Sequence, residues 1–159
     1  MAKKETGATT KVIEALNAGR ARELTAIAQY MQQHYKLEDD GYGKLAKTLK
    51  ETAIVEMKHA EALAERILFL GGVPTSKPDG EILKNQDIPA ILKTAIALEQ
   101  EAIRMYNASA QLCAAEGDNV SKQLFESLLK DEEEHLNTFE TIRDHVEALG
   151  AAYLATLAD

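Results

Sequence analysis

The chain contains no tryptophan, a single cysteine and only three prolines in 159 residues, and aromatic residues make up 5% of it. The lone Cys113 excludes an internal disulfide and any metal site built from several cysteines. A reducing, cytoplasmic setting is the expectation that follows. No run of alternating Val, Thr and Tyr stands out as a strand. No apolar run is long enough for a signal segment or a membrane span, so no membrane partner is expected. Basic residues are outnumbered, 18 Lys and Arg against 26 Asp and Glu, for a formal charge of −8. That is the wrong sign for a phosphate-backbone footprint, so no nucleic-acid partner is expected and cation handling fits better.

What the chain has in abundance is Ala, Leu, Glu and Lys, the helix-forming set. Its length suits one domain over 1–159: a mobile leader at 1–9, a helical bundle at 10–150 and a short C-terminal helix at 151–159. Thr10 is placed to cap a first helix reaching about Tyr35, with Val12, Leu16, Glu23, Tyr30 and Leu37 on one stripe. The turn chemistry of Glu38-Asp39-Asp40-Gly41 returns the chain antiparallel. A second helix follows to Leu70, with Leu45, Leu49, Thr52, Glu56, His59, Leu63 and Ile67 inward, and Gly71-Gly72 ends it. The segment 71–86 is long for a bundle loop. Extended, it reaches roughly 50 Å, enough to cross a helix of roughly 40 Å. A third helix starts near Asp87-Ile88-Pro89, with Ile88, Leu92, Ala95, Glu99, Ile103, Tyr106, Ala110 and Cys113 on its stripe. After a break at Glu116-Gly117-Asp118-Asn119, a fourth runs from about Val120 to Leu149, with Ser121, Phe125, Leu128, Glu132, His135, Phe139 and Val146 inward.

Two of these helices carry the same short pattern, Glu56-Met57-Lys58-His59 and Glu132-Glu133-Glu134-His135. A carboxylate and an imidazole at i and i+3 share one helical face. Upstream, Glu23 precedes Glu56 by the same interval as Glu99 precedes Glu132, and Tyr30 and Tyr106 follow Glu23 and Glu99 by seven residues each. Glu, Tyr, Glu and His therefore recur at an offset of 76 residues. Each marked glutamate lies near the middle of its helix, so two antiparallel hairpins related by a pseudo-two-fold axis bring all four to one level. The expected fold is all-α, a four-helix bundle with a long crossover between helices 2 and 3.

Four inward glutamates are a physical problem, because buried carboxylates repel one another and resist ionisation. No lysine lies on these stripes near them. Arg143 is eleven residues from Glu132, about 16 Å along the axis. Metal ions are the remaining compensation, and two divalent ions neutralise four carboxylates and two neutral imidazoles. Oxygen-rich ligation with one His per ion suits iron or manganese. One Glu from each of two helices with a Glu-x-x-His from each of the others resembles the di-iron carboxylate arrangement of ferritin-like bundles. By symmetry, that resemblance implies that Glu56 and Glu132 bridge, with Glu23 and His59 completing one ion and Glu99 and His135 the other. A single Glu-x-x-His is ordinarily a solvated pair, and only the repeat argues otherwise. An inward Tyr30 or Tyr106 is ordinarily core packing; a role beside the metals is the alternative, and Tyr30 is included among the catalytic candidates. Cys113 reads as a small buried hydrophobe. His34 is too far along its helix from Glu23 to be a ligand, His145 faces the other way, and Asp131, Glu133 and Glu134 read as a solvated acidic face.

The second helix carries another apolar line, Ala46, Ala53, Met57, Ala64 and Leu68, about a quarter turn from Glu56. A partner copy is its simplest cover, and a symmetric contact sets Met57 against its mate. By spacing alone Met57 is packing.

With these residues in view, the chain resembles the bacterioferritins over nearly its whole length. The resemblance rests on Glu23-Leu24-Thr25-Ala26-Ile27-Ala28-Gln29-Tyr30, on Glu56-Met57-Lys58-His59-Ala60-Glu61 running on to Glu65 through Pro74, and on Asp131 to His135. It implies a ferritin-like bundle with a short fifth helix and a two-iron ferroxidase centre in each subunit. It also implies a 24-subunit hollow shell built from two-fold dimers, in which Fe(II) is oxidised by O2 or H2O2 and stored as mineral. A haem b or related iron porphyrin, one per subunit pair, is then held by two Met57 residues, with a ferredoxin-type donor for iron release. Some members place His and Asp where this chain has Glu51 and Val55, making a further iron site on the inner surface; Val55 offers no ligand atom for one. The nearest rival is a rubrerythrin-like di-iron peroxidase needing an external donor, since this chain has no cysteine pairs of its own. A metal-free helical interaction module is the alternative from another class.

Overall fold

Each expected stripe becomes a helix. The computed structural model describes residues 7–159, which form α1 (Gly7–Asp39), α2 (Gly43–Phe69), α3 (Ile88–Ala115), α4 (Asn119–Leu149) and the short α5 (Ala151–Thr156). The first six positions of the expected leader lie outside the described residues, and the next three are the first turn of α1 rather than a leader. The first helix also runs one turn beyond Tyr35. Leu37 is fully buried and Lys36 pairs with Asp40, so the last turn gains both packing and charge before Gly41 reverses the chain at φ +83°.

The other ends follow cap chemistry. Gly71 leaves α2 with φ +89°, a left-handed conformation in which a side chain would be strained. Asp87 caps α3 by accepting from the Ala90 amide at 2.9 Å, with Pro89 in the first turn. Asp118 caps α4 by accepting from the Ser121 amide at 2.9 Å.

The helices pack as two antiparallel hairpins, α1 with α2 and α3 with α4, and the connection between them lies along α1. A row of α1 side chains at helical spacing fastens it. Asn17 donates to the Val73 carbonyl (3.1 Å) and accepts from the Thr75 amide (2.8 Å). Arg22 grips both oxygens of Asp79 (3.0 and 2.6 Å), and Thr25 accepts from the Asp79 amide (3.0 Å). Gln29 exchanges a pair of bonds with the Leu83 backbone (2.9 and 2.8 Å), and Gln33 reaches Gln86 (3.0 Å). From Asn17 to Gln33 is about 24 Å of helix.

The apolar core is in two parts. One holds Leu37, Leu45, Leu49, Ile91, Leu92 and Phe139, with Leu157 folded onto it from beyond α5. The other holds Val12, Leu16, Leu63, Ile67, Cys113, Phe125 and Leu128. The buried glutamates belong to neither part. At about 25 cal/mol per Å2 removed from water, the two parts stabilise the hairpin pairing and so hold a charged layer that would not assemble unaided.

Candidate metal centre

Glu23 from α1, Glu56 and His59 from α2, Glu99 from α3, and Glu132 and His135 from α4 converge at mid-bundle. The four carboxylates are at most 1% exposed and His59 is 4% exposed. Two sets of potential ligands emerge, Glu23, Glu56, His59 and Glu132 in one and Glu56, Glu99, Glu132 and His135 in the other. Within each, one ligand atom per residue lies within 4.8 Å of the rest. Glu56 and Glu132 belong to both. His59 Nδ1 is 2.9 Å from Glu56, 2.8 Å from Glu132 and 3.4 Å from Glu23. His135 Nδ1 is 3.1 Å from Glu56 and 3.7 Å from Glu99.

Closeness here is not hydrogen bonding. Both Glu56 oxygens, Glu99 Oε2, Glu132 Oε1 and the Nδ1 atoms of His59 and His135 are buried without an aligned hydrogen-bond partner. Buried polar atoms are rarely left so. Atoms that crowd together while aiming past one another are arranged around a shared centre, and the donor set of carboxylate oxygens and imidazole nitrogens suits a divalent metal ion.

The electrostatics agree. Burial, reinforced by the neighbouring charge of Glu56, raises the Glu23 carboxyl well above its usual range. Burial likewise pushes Glu132 up to about 10 and raises Glu99. Glu56 is the exception: burial pushes it up, but the close imidazoles of His135 and His59 outweigh that and hold it at about 2. His135 is raised to about 10, because Glu56 and Glu99 overcome the penalty of burying its charge, and His59 is raised in the same way. Without metal the layer therefore retains protons where a cation is wanted. The one buried arginine on α1, Arg22, does not supply that charge, being committed to Asp79 and Glu101.

The two tyrosines cross between hairpins. Tyr30 of α1 donates to Glu99 of α3, and Tyr106 of α3 donates to Glu23 of α1. Tyr106 comes this close because α1 has glycine at 19, where a Cβ would meet the ring at 3.2 Å. His34 bonds the Ala46 carbonyl at 2.9 Å, and Cys113 is buried in the apolar core. His145 packs edge-on to Tyr153.

Two expectations need correction. Asp131 is not simply part of a solvated acidic face: its Oδ2 lies 2.8 Å from His59 Nε2 and accepts that ring proton. The second apolar line of α2 is only partly outward, since Ala46 and Ala53 are buried by the chain's own helices. Met57 at 55% and Leu68 at 61% exposure remain outside, joined by Ile54 and Phe69.

Residues 13–149 match the model of the ferritin-like domain. Over 93% of its length the chain is 45% identical to a bacterioferritin of Desulfovibrio desulfuricans, covering 83% of that protein. The chain belongs to the bacterioferritin family. It is also 40% identical to the family member from Rhodobacter capsulatus, over 92% of this chain and 91% of that one. The solved Desulfovibrio desulfuricans structure, which concerns a diiron site in different catalytic states, superposes with a TM-score of 0.93 at 44% identity, covering 95% of this chain and 88% of that one. The Rhodobacter capsulatus structure, with a metal-free dinuclear site and a heme iron on a crystallographic special position, gives 0.92 at 38% identity, covering 99% and 97%. Among the described residues no helix is long and apolar enough to cross a membrane.

Proposed function

We infer that this chain stores iron as a bacterioferritin does, with a ferroxidase centre inside each bundle. The six-residue layer is that centre, Glu23 and His59 serving one ion, Glu99 and His135 the other, and Glu56 and Glu132 both. The observation that carries this reading is the set of buried carboxylate and imidazole atoms lacking aligned partners. A rubrerythrin-like peroxidase would use similar residues, but 45% identity along nearly the whole chain favours the ferroxidase. A metal-free interaction module would have no reason to bury four carboxylates.

Fe(II) is the substrate. Loading two ions displaces the protons held by Glu132, Glu23 and the imidazoles, and the layer becomes neutral. Two Fe(II) then give up one electron each, taking O2 to hydrogen peroxide or hydrogen peroxide to water, with two protons consumed. The carboxylates stabilise the more highly charged product, and Tyr30 and Tyr106 hold Glu99 and Glu23 in place by hydrogen bonds, Tyr30 using the Glu99 oxygen that is not the one nearest His135. Burial of the layer excludes bulk water and keeps these interactions strong.

Met57 carries the second part of the reading. Its side chain, 55% exposed and one helical turn from the exposed Ile54, is positioned to ligate a haem shared with a second copy. When bound, that group supplies a one-electron path for reductive iron release, for which a ferredoxin-type donor is the fitting partner. The chain as one domain, 24 copies in a hollow shell and a cytoplasmic setting complete the reading. Stopped-flow Fe(II) oxidation of wild type against Glu56→Ala and Glu132→Ala tests it: loss of the fast phase in assembled particles is expected, and unchanged kinetics would sink it.

A further inference from the structure

The 76-residue repeat relates the two halves of the centre residue by residue, and at one position it breaks. Asp131, directly before Glu132 on α4, accepts the Nε2 proton of His59 on α2 at 2.8 Å. Its counterpart, directly before Glu56 on α2, is Val55, which has nothing with which to hold His135. Among the described residues His135 Nε2 has no hydrogen-bond partner, and its side chain is 13% exposed against 5% for His59. One imidazole is thus clamped from behind and the other is free.

The clamp has a chemical consequence. A proton fixed on Nε2 leaves the Nδ1 lone pair facing the cluster, so His59 is locked in the tautomer and ring orientation that binds a cation. His135 must find both on its own each time, at a cost in rotational freedom.

We propose that Asp131 is a positioning residue that makes the two metal positions unequal: the Glu23–His59 position holds its ion firmly, and the Glu99–His135 position, lacking a clamp at Val55, exchanges its ion more readily. The firm position then acts as a seat, and iron turns over through the loose one. This rests on the metal centre proposed above.

Cobalt(II) alone is the probe. Full-length wild-type crystals are soaked with less than one equivalent per chain, and anomalous scattering reports the occupancy of each position. Isothermal titration gives the two affinities. Higher occupancy at the Glu23–His59 position is expected, with affinities about 10–100-fold apart, the usual worth of an outer partner to a metal-binding histidine. Asp131→Ala should bring the two together by weakening the firm position. Asp131→Asn, whose amide oxygen still accepts from Nε2, should keep most of the difference. Val55→Asn should bring them together from the other side, by strengthening the loose position, and being a gain it does not depend on Asp131→Ala folding well. Equal occupancy in wild type, or a ratio that neither Asp131→Ala nor Val55→Asn changes, overturns the proposal while leaving the metal centre standing. Cobalt absent from both wild-type positions overturns the metal centre, and the proposal with it.

Discussion

The inward and outward faces of α2 differ by one residue in sequence and by nearly everything in physical character. Glu56 is fully buried, surrounded by charge from three other helices, and accounted for only by a cation. Met57 is 55% exposed, and in the reading proposed above a second copy covers it. On that reading, the first face is completed within one chain and the second by another copy. A single helix can therefore serve two sites with no shared atoms, because a step of 100° is enough to separate a buried layer from an interface.

The sharpest way to break that separation is to remove a residue common to both metal sets. Glu56→Ala should slow Fe(II) oxidation by more than the roughly 10–100-fold typical of losing an outer partner of a ligand, measured by stopped flow on assembled protein. Met57→Leu should abolish the Soret band of protein produced with haem, read by absorption. If either variant removed both signals, the two faces would not be independent.

A pH titration probes the inward face alone. In metal-free protein Glu56 has its carboxyl lowered from 4.5 to about 2, so its contribution is present above pH 4.5 and is lost as pH falls towards 2. Glu132, raised from 4.5 to about 10, and His135, raised from 6.5 to about 10, act in the opposite sense. Their contributions are complete at low pH and are lost as pH rises to about 10. Thermal unfolding of the metal-free protein should show greatest stability at about pH 5, with a decline on the alkaline side. Adding a divalent metal should flatten that decline, since the ion replaces the protons. The smallest effect belongs to Tyr106→Phe, which leaves Glu23 without its hydrogen-bond donor and should lower stability by about 1–3 kcal/mol in chemical denaturation.

Much of this was legible before any coordinates. Strong periodicity marked the four long helices, and the repeat singled out the six clustered residues and the tyrosines, because each obeys both a helical stripe and the 76-residue offset. The end of α1 was not legible, since Lys36–Asp40 pairing and burial of Leu37 override turn-like composition. Asp131 was missed for a more instructive reason. Its partner His59 lies 72 residues away, and its repeat counterpart is Val55, so neither local spacing nor internal symmetry pointed to it. Likewise, the cover over Ala46 and Ala53 depends on how neighbouring helices pack, which the periodicity of α2 alone does not contain.

The fastening of the crossover along α1 bears on how chains avoid exchanging halves. A connection long enough to traverse the bundle is also long enough to deliver its second hairpin to a neighbour, which would form the same layer from two polypeptides. In a crowded assembly of identical subunits that alternative is always close at hand. The bonds from Asn17, Arg22, Thr25, Gln29 and Gln33 tie the connection to its own first helix, and each net bond is worth about 0.5–1.5 kcal/mol. An exchanged dimer would need to break or rebuild them at an awkward angle, so this polar row protects the identity of the subunit as well as its shape.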